Sequence, residues 1–266
     1  EELKNVLLEE TPWVLEAKNE AEQKEKLVLL FDRNRANLLT RQAVDRLREL
    51  QTPEGGWSWF KDFRPSRSIT QYILYGFSQL KELKAVEFTD DIRTMQAKAV
   101  SYIDSEALRG FEQLKKHDKN WRNIEVISTP DLEYLYVRSA YPQYALSKDV
   151  QEMVNFYMAS LVDNQTKYGL YERSLIVVLM SRQGKQSVVS DILNSFREHA
   201  TVNDEMGMYW ANNRNNVFMS QSAISAHTFI MDAFRIGGAK SDEMDNMKRW
   251  LLKQKQTSIW ESTHAT

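Results

Sequence analysis

The sequence predicts an all-α protein, and this prediction rests on hydrophobic spacing and on composition. Apolar residues recur at the three-to-four-residue interval of a helix along most of the chain. In the segment 66–83, one such stripe consists of Ile69, Ile73, Phe77 and Leu80. The 266 residues include only nine glycines and five prolines, fewer than an all-β chain with many tight turns usually carries. With 42% hydrophobic residues the chain can bury a core, and we expect one domain over residues 1–266.

Capping residues mark three of about ten predicted helices. Thr89 directly precedes a helical pattern and is a residue type whose side chain accepts a hydrogen bond at an N-cap. Thr129 is predicted to cap another helix, with Pro130 at the first helical position, where a missing amide hydrogen costs little. Ser147 is predicted to cap the helix that follows.

Buried helices and half-solvated helices alternate in the second half of the chain. Segments 174–183 and 217–236 are rich in apolar or small residues and are followed by glycines. Each is followed by an amphipathic segment, 185–200 and 241–255 respectively. This alternation is typical of a double-layered helical ring, the α/α toroid, and equally of a simple helical solenoid.

A glycine-aromatic motif precedes several predicted helices and favours the toroid. Gly56-Trp57 lies ten residues ahead of a helix start near Ser66, and Gly207–Trp210 begins ten residues ahead of one near Val217. Partial copies of the motif occur at 168–174 and 258–263. Both ends of the sequence resemble cuts within a longer protein. We therefore expect a fragment of a much larger protein, whose ring need not be closed.

Charge and hydropathy argue against two classes of partner. The formal net charge of −2 and the isoelectric point near 6.2 give no basic surface for nucleic acid or for an anionic membrane. No apolar run reaches the roughly 18 residues that a membrane-spanning helix needs. We expect neither nucleic-acid binding nor direct membrane insertion.

No cofactor and no metal ion are expected. The absence of cysteine excludes disulfides, thiolate metal sites and cysteine nucleophiles. The four histidines are widely separated, and none forms an i, i+4 pair with another: His117, His199, His227 and His264. A zinc site would therefore need carboxylates from distant helices.

Four aromatic residues in the motif loops are candidates for the mouth of a toroid cavity. They are Trp57, Trp59, Tyr209 and Trp210. Buried aromatic side chains mainly supply core area, so packing between helix layers is the preferred interpretation over ligand binding. Trp57 and Trp59 are accordingly expected to pack at the mouth of an inner helix.

Acidic residues in the same loops leave an enzyme as the alternative. They are Glu54, Asp62, Glu172, Asp204 and Glu205. Two carboxylates facing a toroid cavity would suit a glycosidase, in which one acts as acid and the other as base or nucleophile. No spacing singles out such a pair, so we expect no catalytic activity.

The segment Gln51-x-x-x-Gly55-x-Trp57 resembles the glutamine-tryptophan motif of triterpene cyclases, which are α/α toroids. The acid motif of that family is Asp-x-Asp-Asp, and the nearest segment here, "FTDDIRT", lacks its first acid. Protein prenyltransferases share the toroid, but their zinc site uses a cysteine. A terpene-cyclase-like enzyme therefore remains part of the alternative.

Three ordered blocks resemble the bacterial alpha-2-macroglobulin family, in its Bacteroidetes-type branch. They are "TPWVLEAKNEAEQKEKLVLLFD", "LQTPEGGWSWFKDFRPSRSITQYILYGFSQL" and "MKRWLLKQKQTSIWESTHAT". The resemblance implies a thioester-type α/α toroid domain in a very large, protease-trapping protein of the cell envelope, periplasmic or anchored in the outer membrane. Its implied partners are neighbouring domains and, through the parent protein, target proteases.

The resemblance also implies what this chain cannot do. Family members with a thioester carry a Cys-x-Glu-Gln motif, and a chain without cysteine cannot form that bond. The expected role is therefore that of a structural, non-catalytic domain.

Overall fold

The computed structural model describes residues 33–213 and 222–254, and within these ranges the protein is all-α, as predicted. Its helices are α1 (Arg33–Leu50), α2 (Arg67–Glu82), α3 (Asp90–His117), α4 (Thr129–Arg138), α5 (Lys148–Asn164), α6 (Leu170–Arg182), α7 (Gln186–His199), α8 (Ala223–Gly237) and α9 (Ser241–Gln254). Two short strands, β1 (Thr201–Asn203) and β2 (Gly207–Tyr209), form an antiparallel pair. None of the described helices is long and apolar enough to cross a membrane.

Parts of the sequence-based predictions lie outside the described residues. These are the helix start near Val217, the motif copy at 258–263, the whole of the first of the three blocks that resemble macroglobulins, and the end of the third block.

The predicted caps of two helices are confirmed, and that of α4 is displaced by one residue. Thr89 accepts a hydrogen bond from the third backbone amide after it, and so does Ser147. At α4 the cap is Ser128, whose hydroxyl accepts from the amide of Asp131. Pro130 is therefore the second helical residue, a position that also needs no amide hydrogen.

The described chain divides into two compact units. The helical unit consists of Arg46–Arg197 and Asp232–Gly238. The hairpin unit consists of Glu1–Asp45, Glu198–Met231 and Ala239–Thr266, so far as these residues are described.

In the helical unit, α2, α4 and α6 lie side by side and run in the same direction. At their first turns, Arg67 of α2 pairs with Asp131 of α4 at 2.8 Å, and Thr129 of α4 donates to Glu172 of α6 at 3.1 Å. Towards their ends, the Arg182 guanidinium of α6 donates to the backbone carbonyl of Tyr136 in α4. The three N-terminal ends therefore meet on one side of the unit, which we call the helix mouth.

Helices α3 and α5 form a second row in the same unit. The ring of Phe111 in α3 lies 5.5 Å from that of Phe156 and 5.3 Å from that of Tyr157, both in α5. Just before α5, the Tyr144 hydroxyl donates to the carbonyl of Arg93 at the start of α3. In this unit α2, α4 and α6 thus alternate along the chain with α3 and α5.

The most buried of the described helices is α6. Seven consecutive residues, from Ser174 to Met180, are at most 2% exposed. Gly184 follows the helix end with a positive φ of 71°, as the predicted glycine stop requires. The amphipathic α7 then buries Val189, Ile192, Leu193 and Phe196, which were among its predicted core positions.

The hairpin unit contains a strand pair that the sequence patterns did not predict. Thr201 pairs with Tyr209 and Asn203 with Gly207, and β2 packs against α9. Gly207 has a φ of 77°, and a Cβ atom there would lie 2.1 Å from the carbonyl oxygen of Asn246. Strands of three residues are too short for an alternating pattern to be visible in the sequence.

Candidate functional site

The glycine-tryptophan turn is held by hydrogen bonds from the Gln51 and Trp57 side chains. The Gln51 amide donates to the carbonyls of Gly55 at 2.8 Å and Met95 at 2.9 Å, which ties the turn to α3. Trp57 is 2% exposed, and its Nε1–H donates to the carbonyl of Leu47 at 2.8 Å, which ties the turn back to α1. The packing interpretation therefore fits Trp57.

The two glycines of this turn permit a close approach to α3. Gly55 has a φ of 96°, and a Cβ atom there would lie 2.5 Å from the carbonyl oxygen of Lys98. A Cβ atom on Gly56 would lie 2.6 Å from the ring of Tyr102. Larger residues would push the turn away from the helix.

Trp59 is placed differently from Trp57, because its side chain is 68% exposed. The expected packing of Trp59 at a helix mouth is therefore wrong. Two residues that the sequence patterns did not single out share its exposure, Phe60 at 68% and Phe63 at 66%. Their rings contact each other edge to face, with centroids 5.7 Å apart.

The other two candidate aromatics, Tyr209 and Trp210, belong to the hairpin unit. Trp210 is 2% exposed and lies 5.8 Å from the ring of His227. Tyr209 is half-buried and stacks on Trp250 at 6.3 Å, and Trp250 in turn lies 4.3 Å from His227. Trp210 and Trp250 thus both contact the buried His227, and Tyr209 packs behind Trp250.

His227 is fully buried and neutral. Its Nε2–H donates to the carbonyl of Met247 at 3.0 Å, which makes Nδ1 the unprotonated nitrogen. Nδ1 is buried without a hydrogen-bond partner. Burial lowers the pKa of His227 to about 4, and the bond to Met247 only partly opposes this shift.

The helix mouth carries a cluster of ionised side chains between α2 and α4. The guanidinium of Arg67 pairs with Asp131 at 2.8 Å and donates to the carbonyl of Pro130 at 3.0 Å. Asp131 also receives a hydrogen bond from the hydroxyl of Ser128 at 2.6 Å. Both charged side chains are less than 20% exposed, so the pair is shielded from solvent.

A second part of the helix mouth joins α4 to α6. The Tyr171 hydroxyl donates to Glu133 at 2.9 Å, and Thr129 donates to Glu172. Burial raises the pKa of Glu133, and repulsion from Glu172 raises it further, while the Tyr171 hydrogen bond opposes the shift.

A third ionised group lies deeper in the helical unit. Asp104 of α3 receives hydrogen bonds from Tyr134 at 2.7 Å and from the Nε of Arg138 at 2.9 Å. Burial nevertheless raises the pKa of Asp104 above its usual value. The same guanidinium donates to the carbonyls of Tyr141 and Tyr144, so it joins α3, α4 and the following loop.

The carboxylates predicted from the loops are mostly not brought together. Glu54, Asp62, Asp204 and Glu205 are exposed, and only Glu172 of the predicted set lies in the helix mouth. Among the described residues, no group of three histidine, aspartate or glutamate side chains is placed to hold a metal ion.

Most of the helix-mouth residues were not identified from the sequence. Arg67, Asp131, Glu133 and Tyr171 each sit in the first or second turn of a helix, where charged and polar residues are common. Arg67 and Asp131 are 64 positions apart in the chain, so no local pattern could pair them. Their helix-start positions in α2, α4 and α6 are the shared feature that could have grouped them.

Comparison with known protein families and with curated proteins gives no match to this chain.

Proposed function

We propose that this chain is a non-catalytic structural domain of a protease-trapping, alpha-2-macroglobulin-like protein of the bacterial cell envelope. The observation that carries the proposal is that the acids of the helix mouth are held by donors from neighbouring helices. The resemblance of the three sequence blocks supplies the family and the location in the cell envelope.

The hydrogen bonds of the helix mouth suit a structural role better than catalysis. A catalytic acid or base must reach the substrate proton directly or through one water molecule. Asp131 is instead occupied by Arg67 and the Ser128 hydroxyl, Glu133 by Tyr171, and Glu172 by Thr129. These contacts bind α2 to α4 and α4 to α6.

The arrangement of the helical unit also supports the α/α toroid as the fold of the parent domain. Parallel helices in one row, with the intervening helices in a second row, are what a double-layered ring requires. The glycine-tryptophan turn contributes a clamp between α1, α2 and α3, through the bonds of Gln51 and Trp57. In this proposal the domain gives the parent protein a rigid body against which other domains enclose a protease.

The intact parent protein provides the test of this proposal. After incubation with a protease, hydrolysis of a small peptide substrate should persist while hydrolysis of a large protein substrate falls. Pretreatment with methylamine distinguishes covalent trapping, which it abolishes, from steric enclosure, which it leaves unchanged. Equal hydrolysis of both substrates with and without the parent protein would refute the trapping function.

A toroidal enzyme is the second candidate, and the raised pKa of Glu133 favours it. A partly buried carboxyl whose pKa is raised keeps its proton to a higher pH than an exposed one, which is what the acid of a glycosidase requires. The variant Glu133→Gln separates the two candidates. An enzyme acting on glycosides would lose turnover of its polysaccharide substrate in this variant, whereas a structural domain would change in stability alone.

A further inference from the structure

The loop 59–64, "WFKDFR", presents three large aromatic side chains to solvent, and we call it the aromatic loop. Trp59, Phe60 and Phe63 are each 66–68% exposed. An aromatic side chain can bury about 150–250 Å², so these three offer on the order of 300–500 Å² of uncovered apolar surface. A patch of this size on a single chain is commonly a binding site.

The aromatic loop is held in a defined shape at both ends. Before it, Trp57 is buried, and its backbone pairs with that of Ser66 after the loop, with the Ser66 amide 2.8 Å from the Trp57 carbonyl. Within the loop, the Phe63 amide donates to the carbonyl of Phe60, and Asp62 adopts a positive φ of 67°. A loop fixed in advance loses little conformational entropy when a partner covers it.

A polar cleft adjoins the aromatic loop. The Tyr102 hydroxyl of α3 donates to the carbonyl of Pro65 at 2.8 Å, which places the end of the loop against this helix. One to three turns further along α3, a cleft of about 340 Å³ is lined by Glu106, Arg109, Gly110 and Gln113, together with Arg67 of α2. The space beside Gly110 is open, because a Cβ atom built there would meet no atom within 4 Å.

The charged side chains of the loop and the cleft indicate which charge a partner should carry. Lys61 and Arg64 are exposed within the loop, and Arg109 is 70% exposed at the cleft, although it pairs with Glu106. Arg67 is already neutralised by Asp131. Within the loop, Lys61 and Arg64 outnumber the one acid, Asp62, which leaves a net positive charge, while the guanidinium of Arg109 is shared with Glu106. A positively charged loop of exposed aromatic rings complements a partner that carries both carboxylates and apolar side chains.

We propose that the aromatic loop and the adjoining cleft form a binding site for an acidic peptide segment of a partner protein. Apolar side chains of the segment pack on Trp59, Phe60 and Phe63, and its carboxylates pair with Lys61, Arg64 and Arg109. A membrane surface fits less well, because a flat lipid surface would cover the exposed aromatic rings but leave the polar cleft beside them unfilled. This site does not depend on the proposed trapping function.

The test uses the chain and two labelled peptides of matched apolar content. One probe is fluorescein-Glu-Leu-Glu-Phe-Glu-Leu-Glu-amide, and the other replaces every glutamate with lysine. Fluorescence anisotropy should give saturable binding of the acidic peptide and at least tenfold weaker binding of the basic one. Raising the salt from about 0.1 M to about 0.5 M should weaken the acidic complex, because accessible charges are screened.

Variants separate the two halves of the site. Trp59→Ala with Phe63→Ala should weaken binding of the acidic peptide at least tenfold, and Arg64→Gln with Arg109→Gln should do so as well. Leu83→Ala is the matched control, because Leu83 is a 73% exposed apolar residue of the same unit outside the loop, and binding should be unchanged. Circular dichroism should be unaltered in all of them, since the replaced side chains are exposed.

Three results would overturn the proposal. The first is equal affinity for the acidic and the basic peptide, or affinity that the aromatic variants do not change. The second is binding to vesicles with about 30% phosphatidylglycerol, lost in the aromatic variants, without binding of the peptide. The third is concentration-dependent self-association in sedimentation, lost in the aromatic variants, again without peptide binding, which would identify a second copy as the partner.

Discussion

Trp57 and Trp59 are separated by a single residue and have opposite surroundings. Trp57 is 2% exposed and bonded to the Leu47 carbonyl, while Trp59 is 68% exposed in the aromatic loop. The backbone turns between them and the isolated pairing of Trp57 with Ser66 fixes which indole faces inward. The two residues therefore form a natural matched pair for experiment.

Replacing Trp57 with alanine should lower the free energy of unfolding by about 3–5 kcal/mol, because a large cavity forms and the indole hydrogen bond is lost. Trp59→Ala should change it by less than about 0.5 kcal/mol, as surface substitutions usually do. Urea denaturation of the two variants measures both values. Equal losses would mean that Trp59 is also buried in solution.

His227 should make stability depend on pH. Its pKa is about 4 when folded and 6.5 when unfolded, so between these values the unfolded chain binds more protons. The stabilisation is complete above pH 6.5 and is lost as the pH falls towards 4, by about 3 kcal/mol in total. Denaturation curves measured across this pH range should show the fall in the free energy of unfolding, and the fall should be smaller in the His227→Phe variant. The exposed His117→Asn serves as control, with an undiminished pH dependence.

The helices themselves show which parts of the fold local sequence determines. The caps at Thr89 and Ser147 and the glycine stop at Gly184 were predicted correctly, because each depends on one residue and its nearest neighbours. The cap of α4 was misplaced by one residue because Ser128 and Thr129 are adjacent and both suit the position. The strand pair was missed because its strands are too short to show a period.

Two glycines should respond in opposite ways to the same substitution. Gly76 lies within α2, and a Cβ atom there would meet nothing within 4 Å, so Gly76→Ala should stabilise the protein by about 0.5–1 kcal/mol. Gly55→Ala should destabilise it by roughly 1–3 kcal/mol, because its positive φ and the nearby Lys98 carbonyl exclude a side chain. Thermal unfolding of both variants tests this contrast. A gain from Gly55→Ala would mean that the turn does not approach α3 so closely.

Over the described residues, composition and hydrophobic spacing were sufficient to predict the helical class and the sequence of the buried α6 followed by the amphipathic α7. They were not sufficient to predict the helix mouth, because its contacts join residues of different helices. Arg67 meets Asp131, and Thr129 meets Glu172, only once the three helices run in the same direction. The exposure of Trp59 was unpredictable for a similar reason. The residue type alone does not show whether an aromatic side chain is buried in the core or exposed on the surface.

The continuous burial of α6 has a consequence for how the protein exchanges its amide hydrogens. From Ser174 to Met180 no residue is more than 2% exposed, so no small local opening can bring these amides into contact with water. Hydrogen–deuterium exchange followed by mass spectrometry should therefore find α6 among the slowest segments of the helical unit. The opening free energy calculated from the exchange rates of α6 should equal the free energy of global unfolding measured with denaturant. The amides of the exposed aromatic loop should exchange within seconds. Fast exchange in α6 would indicate that the centre of this unit opens without the rest unfolding.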